Sequence, residues 1–171
     1  MAKARIRLRT YSYRFASEVL NSKLAIKQEI ESILTDPSID VPSLSRPAFN
    51  KILKEKFTTK GWESQPLVFG GKGDPKAKMD FMKDRIGIEV GFGHASFIGM
   101  DLLKFQTASY SNLDRIDVGV YIVATANFQK QMKVRYGLKW EGSLNFEKVE
   151  KYLPHFKSAI QVPIYVVGID I

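Results

Sequence analysis

Residues 79–92 read MDFMKDRIGIEVGF, and their pattern gives the first indication of the fold. Its second half alternates isoleucine, isoleucine and valine with glycine, Glu89 and glycine, the period of two that is typical of a strand with one buried face. The charged residues 83–85 interrupt this pattern and indicate a tight turn. The sequence therefore predicts two strands, residues 78–82 and 86–92, that pair as a β-hairpin.

The residues before the hairpin predict a basic strand and two helices. Residues 4–10 alternate apolar with arginine side chains, as in a half-buried strand, and we expect an edge strand there. Apolar residues recur mostly every three or four positions over residues 17–34, which predicts one long amphipathic helix. A proline- and serine-rich loop follows over residues 36–47, and Ser45 is placed to cap a second helix that ends near Phe57.

The residues after the hairpin alternate helical patterns with apolar runs. A helical spacing over residues 94–109 is followed at 118–124 by a continuous β-branched run, which is typical of a buried strand. A basic, weakly patterned stretch then reaches about Trp140. Residues 145–153 predict a short helix, and residues 162–168 predict a second buried strand. This order of elements predicts an α/β fold with a mixed β-sheet flanked by helices.

Composition favours a single domain in a reducing compartment. With 171 residues, 44% of them apolar, the chain can bury a substantial core, so we expect one domain over its whole length. No apolar run approaches the roughly 20 residues of a membrane span, and the first ten residues lack the apolar core of a signal peptide. Cysteine is absent, which excludes disulfides and thiolate chemistry. We therefore expect a cytoplasmic protein without a membrane partner.

A net charge of +8 indicates a polyanionic partner, because lysine and arginine bind phosphates and release condensed counterions. Residues 3–14 contain five cations and no acid, residues 51–60 form a second cluster, and residues 128–140 form a third that includes aromatic side chains. The charge also fits a role in solubility alone, but its clustering favours nucleic acid. The candidate phosphate contacts are Lys54, Lys56, Arg5 and Arg7.

Asp80 and Glu89 are the candidate metal ligands. Glu89 points away from the apolar face of its strand, and the hairpin brings Asp80 toward the same face of the sheet. Two converging carboxylates suit a hard cation such as Mg²⁺, which keeps several waters and binds substrate phosphates. The spacing alone also fits two surface acids that pair with Lys78, Lys83 or Arg85.

Residues 79–92 resemble the active-site hairpin of BglII-type restriction endonucleases, the BglII/BamHI-like branch of the PD-(D/E)XK nucleases. The shared order is Asp-Phe, a charged turn, and an apolar strand that carries Glu-Val-x-Phe. Weaker likenesses cover residues 11–21 and 29–34 in the opening helix, residues 60–62 before the hairpin, and residues 162–168 in the closing strand. The resemblance therefore extends over most of the chain and implies a restriction-endonuclease-like core.

This resemblance implies a type II restriction endonuclease of a prokaryotic restriction-modification system. It would act as a homodimer that encircles a palindromic site in double-stranded DNA and, with Mg²⁺, cuts each strand to leave 5′ overhangs. By position, Asp80 and Glu89 would be catalytic residues that bind the metal and help to hold the attacking water and the scissile phosphate. Relatives place a further acidic or amide residue before the hairpin, which makes Glu63 a third candidate metal ligand.

The third position of the motif departs from the family. Relatives place Gln or Glu there, or Lys in the wider superfamily, whereas this chain has Gly91, which has no side chain to orient water or neutralise charge. The preferred substitute is Lys104, because a helix packed beside the strand can return its ammonium to the site; Gln106 and His94 are further candidates. Metal and phosphate without a substitute, or a protein that binds without cutting, are the remaining alternatives.

The resemblance also places candidate base-reading residues. His94 follows the motif strand where relatives carry polar recognition residues, and the basic stretch 127–139 lies where a recognition loop would enter the major groove. The side chains suited to adenine are Asn127, Gln129 and Gln131, those suited to guanine are Lys133 and Arg135, and Lys130 is a further DNA contact. A solvated loop is the alternative for each of them.

Other functions remain open at this point. A DNA-binding relative that has lost cleavage is one alternative, and a repair or junction nuclease on the same core is another. An RNA-binding module fits the charge, but the sequence has no RNP-like or KH-like motif. Three further acids, Asp101, Asp114 and Asp117, are interpreted as structural, the first because it lies within a helical pattern.

Overall fold

A mixed β-sheet forms the centre of the fold, which the computed structural model describes over residues 4–73, 75–111, 113–140 and 142–171. The strands are β1 (Arg7–Tyr13), β2 (Glu63–Ser64), β3 (Leu67–Phe69), β4 (Ala77–Lys78), β5 (Phe81–Lys83), β6 (Ile86–Gly91), β7 (Val118–Ala124) and β8 (Ile164–Asp170). Within the described residues, six of them form one sheet in the order β1-β8-β7-β6-β5-β2, and β3 pairs with β4.

Helices cover both faces of this sheet. They are α1 (Ala16–Asn21), α2 (Leu24–Leu34), α3 (Arg46–Thr59), α4 (Ile98–Tyr110), α5 (Ala126–Tyr136) and α6 (Phe146–Tyr152). One face packs against α1, α2, α3 and α5, and the other packs against α4 and α6. The predicted α/β fold, a mixed sheet flanked by helices, is confirmed. None of the helices that the structure describes is long and apolar enough to cross a membrane.

The middle of the sheet is parallel and buried on both faces. β6 pairs with β7, and β7 with β8, in parallel register. Every residue of β7 is buried, because helices cover both sides of it, and this explains its continuous apolar sequence. The two buried strands predicted from apolar runs are confirmed as β7 and β8, although β8 begins at Ile164 and continues to Asp170.

The predicted hairpin is confirmed. β5 and β6 pair antiparallel, with Phe81 opposite Ile88 and Lys83 opposite Ile86. Asp84 and Arg85 form the turn, with φ of 47° and 64°. Two consecutive left-handed residues match the twist of paired strands, so this two-residue turn closes the hairpin without glycine. The first strand is shorter than predicted, and Asp80 lies just before it.

The N-terminal strand lies at the edge of the sheet, as predicted. β1 pairs antiparallel with β8 over its whole length, from Arg7 opposite Asp170 to Tyr13 opposite Ile164. It occupies Arg7–Tyr13 rather than residues 4–10. Arg7 and Arg9 are exposed along this edge, which keeps charged side chains on the outermost strand.

The single long helix predicted for residues 17–34 is wrong, because the structure has two helices there. α1 ends at Asn21 and α2 begins at Leu24. The Ser22 hydroxyl donates to the Val19 carbonyl oxygen at 2.6 Å, and Lys23 has a non-helical backbone. A serine side chain that binds a carbonyl of the preceding turn competes with the helical backbone, so the chain changes direction at this point.

The remaining predicted helices are present. Ser45 caps α3, since its hydroxyl accepts from the Ala48 amide, and the helix ends at Thr59. The pattern predicted over residues 94–109 forms a 3₁₀ turn and then α4. The short helix predicted over residues 145–153 is α6, which continues into a 3₁₀ turn at Leu153–Phe156.

The basic stretch after β7 is a helix, not the recognition loop that the sequence suggested. α5 is capped by the Thr125 hydroxyl, which accepts from the Phe128 amide, and it ends at Gly137 with φ of 64°. Phe128 and Met132 are buried and lie one turn apart. This side of α5 packs onto the sheet, so only part of the stretch remains available to a partner.

Candidate active site

The hairpin places Asp80 and Glu89 opposite each other. Continuing the pairing of Phe81 with Ile88 by one residue aligns the two acids across the strands. Glu89 projects from β6 toward the face that α4 covers, and it is 3% exposed. The register therefore places the two acids side by side, and Asp80 lies near enough for its charge to raise the pKa of Glu89. The alternative of two surface acids does not hold for Glu89.

Two hydrogen bonds hold the Asp80 carboxylate. The Val90 amide donates to Oδ2 at 2.7 Å, and the Gln65 side-chain amide donates to Oδ1 at 2.9 Å. The Gln65 backbone amide also donates to the Asp80 carbonyl oxygen at 3.0 Å. Gln65 has a φ of 59°, a backbone conformation that residues other than glycine rarely adopt. This strained residue therefore fixes Asp80 from both its backbone and its side chain.

Gln65, rather than Glu63, is the residue before the hairpin that reaches Asp80. Glu63 lies exposed on β2 and pairs with Met82. Its predicted role as a third metal ligand gains no support from a contact with either carboxylate in the described structure. The family resemblance implies an acidic or amide residue in this region. In the structure this residue is Gln65, two positions after Glu63, and its left-handed backbone accompanies the contact of its side-chain amide with Asp80. No local sequence pattern predicts that backbone conformation.

Lys104 lies at the site, as predicted from the sequence. Its Nζ donates to Glu89 Oε2 at 2.7 Å and to the Lys78 carbonyl oxygen at 3.2 Å, and it lies 3.3 Å from Asp101 Oδ1. Its side chain is 13% exposed. The other candidate substitutes lie elsewhere. Gln106 accepts from the amides of Gln161 and Val162.

Asp101 and Tyr121 belong to the same cluster, and neither was predicted from the sequence as a site residue. Asp101, interpreted as structural, is 9% exposed and accepts a hydrogen bond from the Tyr121 hydroxyl at 2.7 Å. Asp101 and Lys104 are three residues apart on one side of α4, a spacing that was visible in the sequence. Tyr121 lies in the middle of an apolar strand, and only the parallel pairing of β6 with β7 brings it here.

The electrostatics of the site are set by burial and by neighbouring charges. Burial and the charge of Asp80 raise the pKa of Glu89 to about 8, although Lys104 acts in the opposite direction. Burial also raises the pKa of Asp80, despite the hydrogen bond from the Val90 amide. Burial alone would lower the pKa of Lys104, but Glu89 and Asp101 raise it overall, so the ammonium stays charged. The acids outnumber the cation, and a divalent cation would relieve their repulsion.

The donor set fits a hard divalent cation that is completed by substrate. Glu89 Oε1 is buried and has no hydrogen-bond partner within the described part of the chain. A buried carboxylate oxygen left without a partner is costly, and a metal ligand bond would satisfy it. Across residues 4–73, 75–111, 113–140 and 142–171, no group of three acids or histidines is arranged to hold a metal. Mg²⁺ commonly binds through one or two carboxylates together with substrate phosphate and water, so the pair is sufficient.

A groove of about 280 Å³ opens beside Asp80. Its walls are formed by the exposed side of α3 and by the residues that hold Asp80, and they include Asn50, Lys54, Ser64 and Gln65. Lys54, a predicted phosphate contact, thus lines the same groove as Asp80. Lys56 does not share this position, because it forms an ion pair with Asp36 at 2.6 Å.

The predicted base-reading residues divide into two groups. Asn127 donates to Asp170 Oδ1 at 2.8 Å, and Gln129 is buried and donates to the Leu144 carbonyl oxygen at 3.0 Å. Both amides thus support the fold, and Gln129 is not accessible to a base. Lys130, Lys133 and Arg135 are exposed on α5, and Gln131 is half-buried.

His94 caps the 3₁₀ turn that precedes α4. Its Nδ1 accepts from the Ser96 amide at 3.2 Å, and the side chain is exposed. The exposed ring leaves the predicted base contact as an expectation.

Comparisons with known proteins concern the family and the fold of the chain. The chain matches the sequence model of the restriction endonuclease BglII/BglIII family over residues 8–169. No curated protein sequence matched it. The crystal structure of BglII complexed with a DNA 16-mer aligns with a TM-score of 0.72 and 21% identity, covering 95% of this chain and 75% of that one. Free BglII aligns with a TM-score of 0.61 and 19% identity, over 95% and 78% of the two chains. At these identities the structural likeness shows a shared fold.

Proposed function

Because the chain belongs to the restriction endonuclease BglII/BglIII family, whose sequence model spans residues 8–169, we propose that it hydrolyses duplex DNA at a short palindromic site with Mg²⁺. The family resemblance noted in the sequence is confirmed, and the chain is a type II restriction endonuclease. One observation carries the proposal of Mg²⁺-dependent hydrolysis. Lys104 lies 2.7 Å from Glu89 beside Asp80, so two carboxylates and a cation meet at the motif although Gly91 contributes no side chain.

Asp80 and Glu89 are proposed as the metal ligands. Mg²⁺ held there would activate water and offset the negative charge that develops on the scissile phosphate. Asp80 keeps its orientation through the bonds from Val90 and Gln65, and Glu89 offers the buried Oε1. Their separation from bulk water strengthens each electrostatic interaction in the site.

Lys104 is proposed as the catalytic residue that replaces the missing side chain. Its ammonium is tethered to Glu89 and to the Lys78 carbonyl oxygen, and it is held on α4 rather than on the motif strand. From there it can neutralise charge on the phosphate or orient water, the roles that a side chain at position 91 would have. This arrangement favours an active nuclease over a relative that only binds DNA.

The homodimer is supported by an apolar stripe on the outer side of α4. Met100, Leu103 and Tyr110 are each more than half exposed, and their spacing places them on the side of the helix opposite its buried residues. Phe97, in the 3₁₀ turn before the helix, is also more than half exposed. An exposed apolar helix face suits burial against a second copy of the chain. A two-fold symmetric protein matches a palindromic site, because both half-sites meet the same surface.

Double-stranded DNA is proposed to contact Lys54 beside the groove and the exposed side of α5. Lys130, Lys133 and Arg135 lie on that side, and Gln131 lies beside them. Phosphate contacts set the register of the duplex, whereas contacts to base edges select the sequence. We assign Lys54 to the first group, and His94 and Arg135 are the candidates for the second. The chain is proposed to work as one domain in the cytoplasm, consistent with its lack of cysteine.

Digestion of unmethylated phage DNA tests this proposal. Purified protein with Mg²⁺ should give discrete fragments that EDTA abolishes, and sequencing of their ends should give the palindrome. Asp80→Asn should reduce cleavage at least ~100-fold and leave DNA binding in place, since it removes one anionic ligand and little volume. Asp114→Asn is the matched control, because this exposed acid pairs with Arg85 at the far end of β6.

The outcomes separate the remaining alternatives. Binding of duplex DNA without cutting at any Mg²⁺ concentration would contradict an active nuclease and favour the non-cleaving relative that Gly91 suggests. Cutting confined to branched or damaged DNA would instead indicate a junction or repair nuclease on this core. Equal activity of Asp80→Asn and Asp114→Asn would remove Asp80 from the site.

A further inference from the structure

The place of the missing third motif side chain is occupied by Tyr121 of β7 and by Leu144. A Cβ atom at Gly91 would lie 2.8 Å from Tyr121 Cε2, 3.0 Å from Tyr121 Oη and 2.7 Å from Leu144 Cδ2. Cβ atoms in proteins rarely approach neighbours this closely, so a side chain at position 91 would force the others to move. Gly91 is therefore the residue that lets the Tyr121 phenol enter the catalytic face of the sheet.

The phenol is connected to the catalytic lysine through one carboxylate. Tyr121 Oη donates to Asp101 Oδ2 at 2.7 Å, and the other oxygen of Asp101 lies 3.3 Å from Lys104 Nζ. Lys104 then reaches Glu89 at 2.7 Å. The series runs from β7 through α4 to β6, and every side chain in it is mostly buried.

Each side chain in this series restricts the conformation of the next. Tyr121 is fully buried and packs edge-to-face on Phe105, so its hydroxyl has a fixed position. A fixed donor on one oxygen of Asp101 sets the rotation of that carboxylate and presents its second oxygen to Lys104. A lysine side chain has several free torsions, and three acceptors around its ammonium select one arrangement of them.

We infer that Tyr121 and Asp101 are positioning residues for Lys104, and that together with Gly91 they form a unit that replaces the third side chain of the motif. This inference rests on the proposed role of Lys104 in DNA cleavage. It explains why position 91 has no side chain. It also explains why Tyr121, which fills the space beside Gly91, carries a hydroxyl group: this group donates a hydrogen bond to Asp101.

Tyr121→Phe tests the inference, because it keeps the ring and removes only the hydroxyl. We expect turnover at a saturating DNA concentration to fall ~10–100-fold with unchanged DNA affinity, the size of loss typical when the partner of a site residue is removed. The matched control is Tyr13→Phe. Tyr13 is also buried and donates its hydroxyl to a backbone oxygen, that of Ile160, away from the site.

A second measurement follows Lys104 directly. In a ¹⁵N NMR spectrum of the lysine side chains, an ammonium held by three acceptors exchanges slowly with water and gives a resolved signal, assigned by its loss in Lys104→Ala. Tyr121→Phe should weaken or remove this signal, and Tyr13→Phe should leave it unchanged. A tyrosine that only fills space would leave the signal as it is, since the ring remains.

The two measurements keep the inference apart from the proposed function. If the wild-type protein cuts DNA and Tyr121→Phe retains both its turnover and its Lys104 signal, the inference is overturned. If the wild-type protein binds DNA and never cuts, the proposed function fails, and the NMR comparison still decides the positioning role. Loss of the signal in Tyr121→Phe alone supports it, and retention of the signal overturns it.

Discussion

The affinity of the site for Mg²⁺ should depend steeply on pH, because a protonated carboxyl must lose its proton before it binds a metal. The pKa of Glu89 is raised to about 8 by burial and by Asp80, so about 3% of Glu89 is ionised at pH 6.5 and about half at pH 8. The apparent affinity for Mg²⁺ should therefore rise about 16-fold over this interval, and about one proton should leave per ion bound at pH 6.5.

The raised pKa of Glu89 also determines how the stability of the metal-free protein changes with pH. Glu89 has a raised pKa in the folded protein, so its contribution to metal-free stability is present below its ordinary pKa of 4.5 and is lost as the pH rises toward 8. Bound Mg²⁺ opposes this loss. Mg²⁺ should therefore raise the melting temperature more at pH 8 than at pH 6.5.

Thermal unfolding over a series of Mg²⁺ concentrations gives the apparent affinity at each pH, since a ligand of the folded state stabilises it by mass action. Calorimetric titration in two buffers of different ionisation enthalpy counts the protons released. Glu89→Gln is the control that should abolish both the pH dependence and the proton release. An affinity that stays constant between pH 6.5 and 8, with no proton released, would refute the assignment of Glu89 as a metal ligand with a raised pKa.

Two further predictions concern stability. Trp140→Phe should lower the free energy of unfolding by ~1–3 kcal/mol in a denaturant titration. The fully buried indole donates to the Leu44 carbonyl oxygen at 2.7 Å, and phenylalanine leaves that oxygen unpaired. An unchanged midpoint of the titration would contradict this prediction. Gln129→Leu should also destabilise by ~1–3 kcal/mol without altering the cleaved sequence, and a changed sequence of the cut ends would show that Gln129 reads a base after all.

The part of the fold governed by strand alternation could be predicted from the sequence. A period of two over residues 86–92 and apolar runs near 118–124 and 162–168 identified the three central strands, since burial on one or both faces dictates those patterns. The helix α5 was missed because its basic residues obscure an apolar spacing of one residue per turn. The sequence nevertheless marks both ends of α5, with Thr125 as the N-terminal cap and Gly137 at the C-terminal end.

The candidate site was predictable only where it follows the motif. Asp80 and Glu89 lie on one hairpin, and the following helix made Lys104 a candidate. The helical pattern around Asp101 predicts only a structural role, because it does not show which polar side of the helix is covered. Tyr121 joins the site through parallel pairing of strands that are separated by a whole helix, and such pairings are not encoded in any local pattern.

The edges of the sheet also bear on how the protein can assemble. β8 is buried from Ile164 to Ile169, and β1 covers its outer side and shows Arg7 and Arg9 to solvent. Two copies that met edge to edge would bring these arginines together, while the opposite edge, β2, offers only Glu63 and Ser64 as a template. Growth of the sheet from one molecule into the next is therefore discouraged at both ends, and association is left to the helical faces.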